Sequence, residues 1–470
     1  MTRPFYILLL LTQTFITKSQ APWDLQQCIK YAINHNISLK QSALNNEINK
    51  NNTNQIKASV LPTINLAGSH VYNFGQTIDR FTNTFANTQV LSQNLYVSSN
   101  VILWSGLSQI NNIKANEYSY LSGIETLKQQ QNDLSLNVAN AYIGVIFSEE
   151  ILKISQNQFN ISKEQLDRTQ KLVNSGVIAK SVEFDIKAQL ANELLNVTNS
   201  ENNLNLSLLN LKQLMNFDSV TNFTIAHPNL NIEAAEILEN NTLSIYETSL
   251  KNQPSIKSGA YSLLSAEKLL AVSRGKQSPT LSFNASMGTG SSGLAKNIIG
   301  YRTSGYQITG ITNKGDSVYT PLTELISQKK SFADQFIDNV NKSIGFTLSI
   351  PIFNGLQTST AIKNAKLNTY NSKLAQDLTK QNLFKNIVQA QANVKAALNK
   401  YNASLLSLDA ATESFKYAQQ KFNAGVISSF DFSTSKNRLF AAESNLLQAK
   451  YDYLFKIKVI DYYKGNPLTF

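Results

Sequence analysis

The sequence predicts a mainly α chain with strands for a membrane β-barrel: two tandem copies of a long antiparallel helical hairpin, each preceded by two strands. Three observations carry this. Val138, Val145, Leu152, Phe159, Leu166 and Val173 recur every seven residues, with the small residues Ala141, Ser148, Ser155, Ser162 and Thr169 between them. The same set returns 249 residues later (138 to 387) as Ile387, Val394, Tyr401, Leu408, Phe415 and Phe422, interleaved with Ala390, Ala397, Ser404, Ala411 and Ala418. Four separate segments alternate apolar and polar residues with period two. A sustained seven-residue repeat means helices running nearly parallel with a left-handed supercoil. Large residues alternating with small ones let side chains nest where a neighbouring backbone comes close.

In chain order, Arg3 precedes the apolar run Phe5-Tyr-Ile-Leu-Leu-Leu-Leu11, and Ser19-Gln20-Ala21 resembles a small-x-small cleavage site. Residues 1–21 therefore read as a secretory signal peptide, too short to span a membrane. No later run of about eighteen apolar residues follows, so the exported chain is either soluble or crosses a membrane as a barrel.

A first repeat spans 22–216. Trp23 to Ile33 forms a helix with Leu25, Ile29 and Ile33 on one stripe, and Asp24 favours its dipole. A second helix runs to about Val60, where Leu61-Pro62 stops it, because proline disfavours helical geometry before it. Strands follow at about 62–73 and 94–104, separated by a polar loop from Asn73 to Asn94. Trp104-Ser-Gly106 ends the second strand. The helix from Leu107 to Val173 then measures about 100 Å at 1.5 Å per residue. It turns at Asn174-Ser-Gly-Val-Ile178 and returns through Leu190, Val197, Leu204 and Leu211.

Residues 217–243 carry no clear period and read as a connector lying across the helices. The second repeat, 244–470, has the same order: a helix to Ser278-Pro279, strands at about 279–288 and 343–353, a long helix, the turn Asn423-Ala-Gly-Val-Ile427 and a returning helix through Leu439, Leu446, Tyr453 and Ile460. Pro62 and Pro279 are 217 apart, against 249 for the long helices, so about 32 residues are inserted in the Gly/Ser/Thr-rich loop between the second pair of strands. Insertions cost least in such a loop.

The +11 net charge raises nucleic acid or anionic membrane as a partner, but the lysines are scattered along polar helix faces without a tight basic block. Export also argues against nucleic acid. The single cysteine, Cys28, excludes an internal disulfide; Leu25-Gln-Gln-Cys28 makes a poor lipobox, so Cys28 is expected to pack on the first helix. His35, His70 and His227 share no ligand spacing, so no metal site is expected. No nucleophile elbow, phosphate loop or cofactor motif stands out, and the chain does not read as an enzyme. The glycine-rich stretch Gly288–Gly300 lacks a Gly-Lys-Ser/Thr ending and reads as a loop at a hairpin.

Half-apolar strands in an exported chain fit lipid on one side and water on the other, or a small soluble sheet packed on helices. Four strands cannot close a membrane barrel, whose smallest members have about eight. A barrel reading thus requires several chains around one axis. An exported, oligomeric coiled-coil structural protein without transport is the competing reading.

The residues also resemble a family, the TolC-like outer-membrane efflux proteins of Gram-negative bacteria. The resemblance covers essentially the whole mature chain. It rests on Trp23-Asp-Leu, Cys28-Ile and Ala32-Ile-Asn-His-Asn36 at the start, on Leu61-Pro62 and Ser278-Pro279 before the strands, on Pro351-Ile-Phe-Asn-Gly355 after the fourth, and on the two Gly-Val-Ile turns. It implies a homotrimer with a shared 12-stranded barrel in the outer membrane and a trimeric α-helical tunnel through the periplasm. It also implies a passive exit duct fed by a periplasmic adaptor and, indirectly, an inner-membrane RND or ABC-type pump.

Gly176 and Gly425 can take the left-handed conformation that reverses a helix, placing Val177-Ile178 and Val426-Ile427 at the tips. These apolar pairs either staple the turn or, as the resemblance implies, meet the adaptor. Asp431 lies within two turns of the second tip, and three copies would ring the periplasmic mouth with negative charge. An ordinary helix-terminal aspartate is the plainer reading. Thr434 stands where some relatives add a second carboxylate. Phe422 and Ile427 stand where a polar latch would be expected, so a closed state is expected to rest on apolar contacts.

Overall fold

The computed structural model describes residues 22–87, 89–218, 223–227, 242–466 and 468. The expected signal peptide, 1–21, and most of the expected connector, 217–243, lie outside them. The chain divides into two compact units. One holds the described residues up to Asn49, and of Ser119–Leu263 and Ser372–Phe470; the other holds Lys50–Tyr118 and Leu264–Asn371.

Helix α1 (Leu25–His35) begins at a reciprocal cap: the Asp24 carboxylate accepts from the Gln27 amide at 2.7 Å, and Gln27 Oε1 accepts from the Asp24 amide at 3.0 Å. Two otherwise orphaned donors are thereby satisfied. Leu25, Cys28, Ile29 and Ala32 form its buried stripe. Burial, with the nearby Asp24 charge adding to it, pushes the Cys28 thiol up to about 12. Because the thiolate is the reactive form, maleimide at pH 8 is expected to leave the native protein unlabelled and to modify one thiol per chain after denaturation. Rapid labelling of the native protein would contradict this burial.

α2 (Ile37–Ala58) leads to β1 (Thr63–Asn73), a short ribbon of β2 (Gln76–Asp79) and β3 (Thr84–Asn87), and β4 (Val90–Trp104). Then come α3 (Ser108–Asn174) and α4 (Lys180–Met215). The second series is α5 (Thr242–Asn252), α6 (Pro254–Gly275), β5 (Thr280–Ser292), β6 (Lys296–Ile311), β7 (Ser317–Lys329), α7 (Phe332–Asp338), β8 (Asn341–Ser349), α8 (Gln357–Asn423) and α9 (Ser429–Lys464). The long helices α3 and α8 have 67 residues each, and the returning helices α4 and α9 have 36 each.

The expected loops are more ordered than their composition implies. The stretch from Asn73 to Asn94 contains the β2–β3 ribbon and the first residues of β4. Its tight corner is built on Asp79, which accepts from the Phe81 amide and the Thr82 and Ser292 hydroxyls. The insertion before β8 is an antiparallel ribbon, β6 on β7, followed by α7. Gly300, Gly305 and Gly310 each adjoin a bulge in β6, and those irregularities break the period of two that would have marked a strand. The glycine-rich stretch Gly288–Gly300 thus lies mostly within β5 and β6, and no helix follows it as a phosphate loop would require.

In the helical unit, the small residues of the α3 repeat, Ala141, Ser148, Ser155, Ser162 and Thr169, are all buried, and so are Val138 and Val145 of the large set. Ser148 bonds Ser207 at 2.9 Å and Ser155 bonds Ser200 at 3.0 Å, so α3 and α4 meet closely at these positions. In the second copy the small positions Ala390 and Ala397 are buried with Ile387, Val394 and Phe415, and alanine stands where α3 has Ser148. The described part of the connector joins this core. Ile225 bridges Trp23 in parallel, and Tyr142 donates its hydroxyl to Ala226 O at 2.5 Å.

Candidate functional site

The strand unit carries the first functional feature. Its sheet has the order β1-β4-β5-β8, antiparallel throughout, which leaves β1 and β8 as open edges. Register aligns the alternating apolar residues into one band: Leu66 faces Val97, Val97 faces Met287, and Phe283 faces Phe346. The band is uncovered, with Ile344 79 % and Phe346 69 % exposed. It is contiguous, larger than isolated surface hydrophobics, and fits lipid. The opposite face is neutral and polar. Asn100 donates to Asn284, and Asn284 donates to Thr347 at 3.0 Å, linking three strands. The helices α2 and α6 enter, and α3 and α8 leave, at one end of this sheet.

The second feature is the pair of helix reversals. In the first, the Val177 amide donates to Leu172 O and the Gly176 amide to Val173 O, both at 3.0 Å. In the second, Val426 donates to Lys421 O at 2.9 Å and Gly425 to Phe422 O at 3.0 Å. This paired pattern requires a left-handed residue, and Gly176 and Gly425 both have φ of 74°. No atom lies within 4 Å of a Cβ built at either, so the need for glycine is conformational rather than steric.

The structure separates the six tip residues. Val177 and Val426 point outward, 67 % and 70 % exposed, while Ile178 and Ile427 are half-buried. Ile427 joins Phe422 beside a core of Phe415, Phe432 and Leu439, and Phe422 stacks on Phe432 at 4.7 Å. Ile427 therefore packs inward at its turn, whereas Val426 stays exposed at the tip.

Asp431 occupies the first turn of α9 and is exposed. Its amide donates to Ser428 Oγ at 3.1 Å, and the Ser428 hydroxyl donates to its carboxylate at 2.7 Å. The aspartate thus serves the helix terminus as well as presenting charge. The first repeat lacks this arrangement: the N-cap of α4 is Ala179, which makes no side-chain cap hydrogen bond.

A third set carries no sequence motif. Lys436 on α9 is 1 % exposed and donates to Glu193 Oε1 on α4 at 2.8 Å, and to Gln158 O and Ser162 Oγ on α3 at 2.7 and 2.5 Å. Burial lowers the Lys436 pKa, and the hydrogen bond and charge of Glu193 oppose that. The available signal was spacing: Glu193 lies seven residues from both Ile186 and Ser200 on a buried seam, where an acid is out of place.

Among the described residues no three His, Cys, Asp or Glu side chains lie together as metal ligands, and no helix is long and apolar enough to cross a membrane. Comparison with known proteins decides what these features belong to. The model of the family described as outer membrane efflux protein matches residues 28–216 and 245–456. The chain belongs to the outer membrane efflux protein family. It is 24 % identical over 466 residues to outer membrane protein TolC of Salmonella enteritidis, covering 96 % of this chain and 84 % of the relative. It is 23 % identical to the TolC of Escherichia coli (strain K12) over 452 residues, covering 94 % and 81 %. Its fold resembles that of CusC, with a TM-score of 0.75 at 15 % identity over 94 % of this chain and 92 % of that one. The Campylobacter jejuni CmeC outer membrane channel gives 0.73 at 18 % identity, over 94 % and 85 %. As a member of the outer membrane efflux protein family, the chain is an outer-membrane efflux channel protein with a periplasmic helical part, and is not an enzyme.

Proposed function

We propose that three copies of this chain assemble into a passive exit duct of a tripartite efflux or type I secretion system. Each copy contributes its four strands to a 12-stranded barrel and its hairpins to a periplasmic tunnel. The observation that carries this reading is the uncovered apolar band on a sheet with two open edges. An exposed edge and an exposed greasy face are both liabilities in water, and closure around an axis within lipid removes both. The neutral Asn/Ser/Thr face then lines the passage. In this reading the sequence repeats 22–216 and 244–470 are the two structural halves of each copy, joined by 217–243 after removal of residues 1–21.

The hairpin tips dock a periplasmic adaptor, which couples the duct to an inner-membrane RND or ABC-type pump. Gly176 and Gly425 shape the reversals, Val177 and Val426 supply the outward apolar contact, and Ile178 and Ile427 support them. Asp431 contributes one carboxylate per copy to a ring at the periplasmic mouth. Fixed negative charge at a constriction favours cations. Asp431→Asn retains a group that can hydrogen-bond with Ser428 while removing the charge, so the oligomer is expected to form normally. Reversal potentials across bilayers with unequal salt should show its cation preference reduced. An unchanged preference removes Asp431 from the mouth.

A further inference from the structure

The contacts between α4 and α9 form a ladder that neither the tip turns nor the strand band uses. Nearest the tip, the Ser429 hydroxyl donates to Asp185 Oδ2 at 2.9 Å. One turn along, the Ser433 hydroxyl donates to Gln189 Oε1 at 2.7 Å, and one turn further Lys436 meets Glu193. Residues three or four apart share a helix face, so the three rungs lie along one seam. The third rung differs from the others because it is dry: Glu193 is only 5 % exposed. The single ammonium spends its three donors on two helices other than its own.

A buried ion pair is weak evidence for stability, since well-packed apolar residues often hold two helices as firmly. What it supplies is selectivity among arrangements. An apolar seam tolerates sliding, whereas displacing Lys436 would strand two buried charges. Lys436 is five residues after Asp431 on the same helix, so whatever fixes Lys436 also fixes the carboxylate and the turn at Gly425.

We propose that Lys436 and Glu193 form a register lock that holds α9 against the α3–α4 hairpin and thereby sets the aperture of the duct mouth. The lock is polar and sits within one copy, in contrast to the apolar closure expected at Phe422 and Ile427. The aperture part rests on the tips being the periplasmic mouth. Lys436 is a positioning residue here and does not itself touch the transported molecule.

The test uses the full chain, with spin labels on cysteines placed at the exposed Phe184 and Phe430. Labelled copies are diluted with unlabelled ones so that each oligomer carries one pair. The parent is expected to give one narrow distance between the labels. Lys436→Met, Glu193→Gln and the paired Lys436→Met/Glu193→Met variant should each broaden it, and each should change single-channel conductance at least twofold. The paired variant, with an apolar seam, should retain the parent's thermal stability, which separates lost register from lost folding. Distance distributions that superimpose on the parent's in the paired variant overturn the lock. Broadened distances with parental conductance overturn its role in the aperture. A parent that does not conduct sinks the duct reading, while the distances still decide the lock.

Discussion

Val426→Glu is expected to abolish efflux while leaving oligomer and membrane insertion intact. Val426 is 70 % exposed and takes part in its turn through its backbone amide, so the fold does not depend on its side chain. A partner that buries this residue would have to bury an unpaired carboxylate instead. Losing a central apolar contact costs roughly 2 kcal/mol or more, about a thirtyfold loss of affinity, before that penalty is added. The measurement is accumulation of an efflux substrate in cells, with the heat-resistant oligomer checked in outer-membrane fractions. Normal efflux by a well-expressed variant would show that the tip does not dock. Ile427→Glu is a less informative change, since Ile427 packs beside Phe422 and its loss also disturbs the α8–α9 core.

The second large effect lies in the strands. Phe346→Arg places a charge in the middle of the apolar band, opposite Phe283. Arginine facing lipid near the bilayer midplane costs about 2–4 kcal/mol per copy, and the cost is repeated in every copy around the barrel. The variant is expected to fail to reach the outer membrane and to accumulate in the periplasm. The adjacent Thr347 points to the other face, where it accepts from Asn284. Thr347→Arg loses a hydrogen bond worth roughly 1 kcal/mol but keeps its charge in water, so insertion should be retained. Equal insertion of both variants would mean that the band does not face lipid.

The two long helices were legible because their repeat persists for many turns, and any local ambiguity averages out. β8 was legible because Ile344, Phe346 and Leu348 alternate with small polar residues without a break. The β6–β7 ribbon was hidden by its own geometry. A bulge beside each of Gly300, Gly305 and Gly310 resets the alternation, so the sequence reads as a glycine-rich loop. The turns at Gly176 and Gly425 were found from two short matching words, but their division of labour was not. Whether a tip valine or isoleucine packs inward depends on residues further along both helices, such as Phe415 and Leu439. The Lys436–Glu193 pair was concealed for a related reason: a lysine on a helix is normally solvated, and only the convergence of α3, α4 and α9 makes this one buried.

The central claim is that the four-stranded sheets of several copies close in a membrane around a conducting passage. Conductance of the purified protein in planar bilayers tests it most directly. The account predicts that the protein needs detergent to stay in solution and inserts to give discrete, cation-preferring conductance steps. A protein that remains soluble and monodisperse without detergent, and leaves the bilayer silent, would contradict it and favour an exported coiled-coil structural role.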